Sequence, residues 1–513
     1  MRVDRRTFLG LGGGALAAVA LRSLPGCGDD LRRPFAGQAL AEAARFPDGV
    51  IAGSPRPRGI HLVVMVTELS GSARLGLEVA RDAGFDDVVL RGVVDLPARV
   101  QVVADVPLHV ALEDEPELAP GRRYFYRWVT TTTTSPVGRF TTLRDAGDER
   151  PLRLGFFSCQ GWQAGYFTAH HGLAAEDVDL VVSLGDYIYD LTDDTGPPER
   201  VDSIGPARRG FAETVQEYRQ KYRLYRSDAG LQAMHARHAM LAVWDNHELA
   251  EDGGHLGELT PRVALAQRLQ NGRAAFWDAM PMDEGPTQTP LYRRLRIGAF
   301  AELFLLDLHS YAGDPGSGES YLGRDQRDWL LDGLSTSQAR WKLIATSTVM
   351  MGLELSAGSP VNLNQWDGFP DERRAIVEHV RAGGIQGVLA LSGDLHTFLA
   401  APVTTTGRAD GQAGLVEISG GAISSQGLLD LEENQGGVAT LLEDAARGAN
   451  PHLAYINALA RGYAVLELGR DEARVTLRSP ASVLVPRSPV RDLARLRIPY
   501  GEPRVEVVYA ETR

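Results

Sequence analysis

The chain has 513 residues, which is enough for about three average domains or for one large α/β domain with a smaller companion. Its formal net charge of −13 argues against a nucleic acid or an anionic membrane surface as the main partner, because both require a basic surface. Lys221 and Lys342 are the only lysines, and the many arginines form no basic block.

The first residues have the pattern of an export signal. Arg5 and Arg6 precede an apolar, Gly/Ala-rich stretch, Phe8–Leu21, as in a twin-arginine signal. At about 14 residues this stretch is short for a transmembrane helix, and a buried N-terminal helix is the alternative. We therefore expect residues 1–27 to be a signal read by the twin-arginine translocase, and the protein to be periplasmic or on the cell surface.

The two cysteines have different expected roles. Residues 24–27 read LPGC and resemble a lipoprotein processing box, in which Cys27 would carry the lipid. Pro25 is unusual in such a box, so lipid anchoring and plain signal cleavage both stay open. Cys159 lies deep in a strand segment, where a disulfide with a tail residue is not plausible, and is either a core thiol or a metal ligand.

The chain then divides into three further regions. Residues 28–45 have no clear periodicity and predict a tether. Residues 46–147 contain short alternating runs separated by turn residues at intervals of about ten, the pattern of a small β-sandwich domain. A charged stretch before Pro151 marks the boundary to a second domain, residues 151–513.

Strands and helices alternate from Leu152 onward, which predicts an α/β domain. The predicted strands are Leu152–Phe157, Leu180–Leu184, Met240–Trp244, Glu302–Asp307, Lys342–Thr348, Gly387–Ser392, Leu415–Ile418, Tyr463–Leu468 and Ala473–Arg478. The predicted helices are Gln163–Glu176, Phe211–Leu224, Pro261–Met280, Arg324–Leu334 and Glu372–Arg381.

Five of these strands end in side chains that can bind metals. In open α/β folds, ligands bind outside the carboxyl ends of the strands. Asp is a hard oxygen ligand that can bridge two cations, whereas Tyr binds well only to a strongly Lewis-acidic ion such as ferric iron. The groups at these ends are Ser158-Cys159-Gln160, Gly185-Asp186 with Tyr189, Asp245-Asn246-His247-Glu248, Asp307 with His309, and Gly393-Asp394 with His396.

Each group also has a structural explanation. Asp186 would cap a helix, Cys159 would be a core thiol, Asn246 with His247 would form a turn, and Asp394 with His396 would lie in a solvated loop. His309 is expected to be structural. Chance placement of thiolate, carboxylate, phenolate, amide and imidazole at successive strand ends is less probable than any one of them alone, so the combination favours a metal site.

The motifs Ser-Cys-Gln, Gly-Asp-Tyr-Ile-Tyr, Trp-Asp-Asn-His-Glu and Gly-Asp-Leu-His, in this order, resemble the PhoD-type alkaline phosphatases, a branch of the calcineurin-like metallophosphoesterases. SPVGRFTT at 135–142, WDGFP at 366–370 and NPHLAY at 450–455 are similar to the same family. The resemblance covers nearly the whole exported chain. It implies a four-layer metallophosphoesterase α/β sandwich with mixed sheets, preceded by a small fibronectin-III-like β-sandwich domain.

The resemblance further implies a cluster that holds Fe³⁺ and Ca²⁺. Cys159 would bind ferric iron as a thiolate, and Tyr189 would supply a phenolate to the same ion. Asp186 would bridge the iron and a calcium site. The number of calcium ions stays open.

Four more residues take roles from the same resemblance. Asn246 would bind the second metal, and we expect it to ligate with one less negative charge than the Asp of many relatives. Asp394 and His396 would complete the cluster, without assignment to one metal or the other. His247 would face the substrate and assist the leaving group. His309 stands where relatives often have Arg, which leaves phosphate clamping or a structural role open.

The implied activity is hydrolysis of phosphate mono- and/or diesters, with a metal-activated hydroxide as the nucleophile and with Asp186 and His247 as catalytic residues. The cations would neutralise the substrate's charge, which reconciles a phosphate ester with an acidic protein. Phospholipase D-like or phosphotriesterase activity at the same site is an alternative. A third interpretation is a surface lipoprotein that keeps the fold and has lost catalysis.

Overall fold

The structure is a computed structural model and describes residues 22–23, 35, 37–192, 196–204, 210–250, 263–282, 290–356, 358–427 and 436–511. The predicted export signal lies outside these residues apart from Arg22 and Ser23, and the predicted lipidation site, Cys27, lies outside them as well. Within the described ranges, we find no helix with the length and apolar character that a membrane span requires.

Strands and helices are numbered here in chain order. The strands are β1 Arg22–Ser23, β2 Ala41–Arg45, β3 Val50–Arg56, β4 Gly59–Val64, β5 Thr67–Gly71, β6 Arg74–Ala80, β7 Val88–Asp95, β8 Leu108–Leu112, β9 Arg123–Val129, β10 Gly138–Thr141, β11 Leu152–Phe157, β12 Leu180–Leu184, β13 Met240–Val243, β14 Arg293–Ile297, β15 Ala301–Leu305, β16 Trp341–Ala345, β17 Glu354–Ser356, β18 Ser359–Pro360, β19 Val388–Ser392, β20 Phe398–Thr404, β21 Ala413–Gly420, β22 Tyr455–Asn457, β23 Tyr463–Leu468, β24 Glu472–Pro480, β25 Val490–Pro499 and β26 Glu506–Ala510. The helices are α1 Ala98–Val102, α2 Thr168–Ala175, α3 Val215–Arg226, α4 Ala229–Arg237, α5 Asn246–Leu249, α6 Leu265–Ala279, α7 Gly323–Thr336, α8 Pro370–Ala382 and α9 Gly436–Ala449, with a 3₁₀ turn at Trp366–Gly368.

The larger mixed sheet has ten strands in the order β26-β25-β24-β23-β11-β12-β13-β3-β4-β8. Its centre is parallel: β12 lies between β11 and β13, with Leu154 opposite Leu180 and Val181 opposite Met240. These three strands are almost continuous apolar runs, as expected for strands that are covered on both faces. Their carboxyl ends therefore lie side by side at one edge of the sheet.

A second mixed sheet has seven strands in the order β14-β15-β16-β19-β21-β20-β22, of which β15, β16, β19 and β21 are parallel. Strand β16 packs on both sides: Leu343 and Ala345 join the core shared with the ten-stranded sheet, while Ile344 joins a second core. Helices α7 and α8 cover that second core with Leu330 and Ile376. Helices α2 and α4 pack on the ten-stranded sheet. The layers confirm the predicted α/β class.

The predicted N-terminal sandwich shares a sheet with the second domain. Strand β3 pairs with β13 in parallel, with Gly53 opposite Met240, so β3, β4 and β8 extend the ten-stranded sheet. A five-stranded sheet in the order β1-β7-β6-β9-β10 covers them, and Leu62 and Leu77 from the two sides lie in one core. Hydrogen bonding is therefore continuous across the predicted domain boundary.

The segment predicted as a tether contains a strand. Strand β2 pairs with β5, and Ala41 and Ala44 are buried. The pairing has two register shifts within five residues, which disrupts the alternation of buried and exposed side chains. That irregularity explains why residues 41–45 carry no strand pattern in the sequence.

Candidate metal centre

Four strand ends bring their polar residues to one place. Cys159 follows β11, Asp186 follows β12, Asp245 follows β13, and Asp394 and His396 follow β19 in the facing sheet. Cys159, Asp186 and His396 each offer a ligand atom within 4.8 Å of the other two. Asp186, Asp245 and Asp394 form a second such group. Asp186 belongs to both groups, which is the arrangement that a carboxylate bridging two cations requires.

The backbone at these residues is unusual. Cys159, Asp186, Asp394 and His396 have φ values of 56°, 52°, 62° and 55°, in the left-handed region that residues other than glycine seldom adopt. Such conformations cost free energy and persist where the surrounding structure enforces them, commonly at functional sites. The three turns that contain these four residues thus hold their side chains inward at a cost to stability.

Two glycines allow the strand-end turns to approach each other closely. Gly185 has a φ of +99°, and a Cβ atom there would lie 2.6 Å from Cβ of Asp245. A Cβ atom on Gly393 would lie 2.6 Å from Cβ of Ser158. Both separations are shorter than a normal van der Waals contact. A larger residue at either position would therefore push the candidate ligands apart.

Glu248 ties the turns after β12 and β13 together. Its buried carboxylate accepts hydrogen bonds from the backbone N–H groups of Asp186 at 3.1 Å, Tyr187, Ile188 at 3.4 Å and Asp245 at 2.7 Å. Burial raises the pKa of Glu248 to about 7, against the effect of these hydrogen bonds. Sequence reasoning did not assign Glu248 this role, although Asp245 and Glu248 have the spacing of a capping box.

The carboxylates are strongly perturbed by burial and by one another. Burial raises the pKa of Asp186 well above its usual value, and neighbouring Asp245 adds to this effect. Burial and Asp245 likewise raise the pKa of Asp394 to about 7. Within the described structure, Asp186 Oδ1 and Asp245 Oδ2 are buried without a hydrogen-bond partner. Unpaired carboxylate oxygens at this spacing are ligands suited to cations, so the donor set fits metal ions.

Tyr189 lies at the side of the centre formed by Cys159, Asp186 and His396. Its hydroxyl is 2.9 Å from His396 Nε2, and Ser425 Oγ donates to the same hydroxyl at 2.8 Å. Burial raises the pKa of Tyr189, and the nearby Asp186 and Cys159 raise it further. Burial and Asp186 also raise the pKa of the Cys159 thiol. A phenolate and a thiolate here therefore require a strong positive charge beside them.

His247 faces a buried carboxylate that the sequence analysis did not single out. Asp190 Oδ1 accepts a hydrogen bond from His247 Nδ1 at 2.9 Å, and Arg268 donates to Asp190 Oδ2 at 2.6 Å. The ring of His247 lies 4.2 Å from that of Tyr189, measured between centroids. The imidazole is therefore held beside the cluster with a defined orientation.

Asp245, which was not predicted to be a ligand, joins the candidate centre. Asp245 supplies the carboxylate of the second ligand group, whereas the predicted ligand Asn246 is the first residue of α5 and is partly exposed. The role of Asn246 stays a prediction. The available signal for Asp245 was its position directly after the apolar run that ends at Trp244.

Further polar groups contact the carboxylates of Asp245 and Asp394. Ser347 Oγ donates to Asp245 Oδ1 at 3.0 Å, and His309 Nε2 contacts the same oxygen. Burial lowers the pKa of His309, but the neighbouring Asp245 carboxylate outweighs this effect and raises the pKa to about 9. Gln365 Nε2 donates to Asp394 Oδ2. His309 is thus an ion-pair partner of Asp245.

Comparison with known proteins is consistent with this geometry. Residues 154–477 match the PhoD-like phosphatase family, and residues 32–144 match the N-terminal domain of PhoD-like phosphatases. The chain belongs to the PhoD-like phosphatase family. This confirms the family predicted from the strand-end motifs, and the N-terminal match also includes the residues of β2.

Two relatives of this PhoD-like phosphatase family member are informative. The chain is 32% identical over 346 residues to alkaline phosphatase D of Bacillus subtilis (strain 168), a match that covers 62% of this chain and 57% of that protein. The chain thus spans less than two thirds of that relative's length. A solved structure described as that of PhoD superposes with a TM-score of 0.76 and 25% identity, covering 91% of this chain and 92% of the other.

Proposed function

We propose that this protein is an exported, metal-dependent phosphoesterase that hydrolyses phosphate mono- and/or diesters at the strand-end centre. The observation that carries the proposal is the sharing of Asp186 between two groups of candidate ligands. Membership of the PhoD-like phosphatase family and similarity to an alkaline phosphatase support it. The left-handed backbone conformations of four candidate ligands at one site also support a functional centre there.

The chemistry of the donors suggests which metal each group would hold. Cys159, Tyr189 and His396 on one side of Asp186 combine sulfur, phenol and imidazole, a set suited to ferric iron. Asp245 and Asp394 on the other side offer oxygen, which suits Ca²⁺. Bound cations would supply charge neutralisation at the phosphoryl group and increase the acidity of water.

The protein's own contribution to the reaction would lie in proton transfer and orientation. We assign His247 to the leaving-group oxygen, to which it would donate a proton or hydrogen bond. Because the Asp190 carboxylate accepts from Nδ1, it fixes the imidazole tautomer and directs Nε2 away from Asp190. Glu248 would maintain the separation of Asp186 and Asp245 through their backbone N–H groups.

The activity is tested with an Asp186→Asn variant on phosphate ester substrates. Native protein is expected to release phosphate or alcohol, and Asp186→Asn is expected to lower kcat/KM by about a thousandfold or more, since the charged carboxylate shared by the two ligand groups is lost. Asp177→Asn, at a carboxylate whose side chain is 72% exposed, is the matched control and should behave as native. Native-like turnover in Asp186→Asn would overturn the proposal.

Rates on an aryl phosphate monoester, a diester, a phospholipid and a phosphotriester separate the substrate classes. A preference for monoester or diester supports the proposed activity. A preference for phospholipid or triester favours the alternative activities at the same centre. Turnover of none of the four by metal-loaded protein would point to a non-catalytic role.

Export rests on the sequence of the first 27 residues. A twin-arginine route would carry the protein across the membrane already folded, so the buried Cys159 would be bound to metal before it reached an oxidising compartment. Replacing Arg5 and Arg6 by Lys is expected to retain the protein in the cytoplasm. Radiolabelled palmitate incorporation in native protein, lost in Cys27→Ser, would support lipid anchoring.

A further inference from the structure

A buried arginine lies behind the pair formed by His247 and Asp190. Arg268, on α6, is 1% exposed, and its NH2 group donates to Asp190 Oδ2 at 2.6 Å. Its Nε donates to the backbone oxygen of Ala212 at 3.3 Å, and its guanidinium lies 4.2 Å from the centroid of the Phe211 ring. One planar side chain thus contacts two separate chain segments and an aromatic ring.

The two segments that Arg268 contacts are hydrogen-bonded to each other, and one of them directly follows Tyr189 of the candidate centre. The N–H of Ala212 donates to the backbone oxygen of Asp190 at 2.9 Å, and Leu191 and Phe211 form an isolated antiparallel bridge. Asp190 uses one carboxylate oxygen for Arg268 and the other for His247. The position of the imidazole therefore depends on a carboxylate whose rotation is limited by Arg268.

We propose that Arg268 is a positioning residue that holds Asp190 in the orientation in which His247 reaches the leaving-group oxygen. The inference rests on the proposed role of His247. The guanidinium is planar, stays charged and presents its donors in a fixed fork, so it can hold a carboxylate and a carbonyl at once. A residue without that fork would let the Asp190 carboxylate turn, and the imidazole would turn with it.

A second arginine provides a matched control far from the centre. Arg144 donates to both carboxylate oxygens of Asp179 at 2.9 Å and to the backbone oxygens of Arg150 and Pro151. Asp179 precedes β12, at the end of the strand opposite to Asp186. Loss of Arg144 would therefore remove an arginine–carboxylate pair and its carbonyl contacts without affecting His247.

The test compares leaving groups. The assay uses 4-nitrophenyl phosphate and phenyl phosphate, or the corresponding bis-aryl esters if the protein prefers diesters. It is applied to native protein and to the variants Arg268→Met, His247→Asn and Arg144→Met. Phenolate is the poorer leaving group and needs the proton more. The ratio of kcat for the nitrophenyl ester to kcat for the phenyl ester is expected to rise about tenfold or more in His247→Asn and Arg268→Met. It should stay native in Arg144→Met.

The outcomes for Arg268 and for His247 are distinguishable. A higher ratio in His247→Asn with a native ratio in Arg268→Met overturns the positioning role and leaves the proposed function standing. A native ratio in His247→Asn overturns the role of His247 itself. A double variant, Arg268→Met with His247→Asn, should have the ratio of His247→Asn alone, and a further increase contradicts the inference.

Folding and metal binding are measured on the same samples. Arg268→Met should keep the native metal content, and a changed ratio accompanied by metal loss would overturn the inference. If Arg268→Met does not fold, the double variant Asp190→Asn with Arg268→Met is measured instead, because it removes both charges of the buried pair. That double variant is expected to have the same raised ratio, and a native ratio in it would refute the inference.

Discussion

Replacing Gly185 by alanine is expected to impair the centre through a single added methyl group. Gly185 has a φ of +99°, which an L residue adopts at a cost of about 1–3 kcal/mol. The new Cβ would also lie 2.6 Å from Cβ and 3.0 Å from the backbone N of Asp245. Relieving that overlap adds about 1–3 kcal/mol, so Gly185→Ala should lower the free energy of unfolding by about 2–6 kcal/mol in total.

The same overlap predicts a loss of activity. Normal separations between carbon atoms are about 3.5–4.0 Å, so Asp245 would have to move by about 1 Å. A displacement of that size at a reacting centre costs about a hundredfold in rate, which kcat/KM on an aryl phosphate ester would measure. Urea denaturation of the same variant measures the loss of stability separately from the loss of activity.

Gly318→Ala separates backbone strain from crowding. Gly318 has a φ of +87°, and nothing lies within 4 Å of a Cβ atom built there. Gly318→Ala should therefore lose about 1–2 kcal/mol of stability and keep native kcat/KM. Activity of Gly185→Ala within about threefold of native, or an equal activity loss in both variants, would refute the reasoning.

Three further changes test buried charges and hydrogen bonds. Glu248→Ala should lower the free energy of unfolding by about 3–5 kcal/mol in urea denaturation, because the backbone N–H groups of Asp186 and Asp245 lose their hydrogen-bond acceptor. A loss below about 1 kcal/mol would contradict the role of Glu248 in joining the two turns. Burial raises the pKa of Glu417 to about 7, so its protonated form stabilises the fold below about pH 4.5 and this contribution is lost as the pH rises through 7. The free energy of unfolding of native protein relative to Glu417→Gln should therefore fall by about 3 kcal/mol from pH 4.5 to 8, and a pH-independent difference would disprove this. Lys221→Met should cost about 3–5 kcal/mol because it leaves buried Asp202 without its cation, and Asp202→Leu in the same chain should recover most of the loss in urea denaturation.

Much of the second domain follows from runs of mainly apolar residues. Strands β11, β12 and β23 begin and end at the predicted residues, since each run is bounded by residues that interrupt an apolar pattern: Pro151 and Ser158, Asp179 and Gly185, and Gly462 and Gly469. Helix α2 begins at Thr168, five residues later than predicted. The N–H of Phe167 donates to Asp228 on another element, a contact that periodicity cannot reveal. Helix α5 has four residues, too few for a periodic signal.

The continuity of the N-terminal sandwich with the second domain could not be read from the sequence. The residues of β3 have a clear strand pattern, but the pattern does not indicate which strand β3 pairs with. Its neighbour β13 lies almost two hundred residues later in the chain. The two strands pair in parallel, with Gly53 opposite Met240. Pairing partners over such separations depend on tertiary packing, which local patterns do not contain.

The candidate centre was predictable where a side chain itself has distinctive chemistry. Cys159, Asp186, Tyr189 and His396 were selected because thiolate, carboxylate, phenolate and imidazole at strand ends are an uncommon combination, and the structure brings them together. Asp190 was not predicted to be a functional residue because its role depends on its partners, His247 and Arg268, which come from other elements of the chain. A buried carboxylate reveals its role only when the cation and the imidazole on either side are known.

Metal analysis of native protein and of Asp186→Asn tests the sharing of Asp186 most directly. The native protein is expected to contain both iron and calcium, with a visible charge-transfer band from tyrosinate on ferric iron. Asp186→Asn is expected to lose metal from both groups together with its phosphoesterase turnover. Zinc alone in active native protein would contradict the assignment of the ions, and full metal content with full turnover in Asp186→Asn would contradict the shared centre.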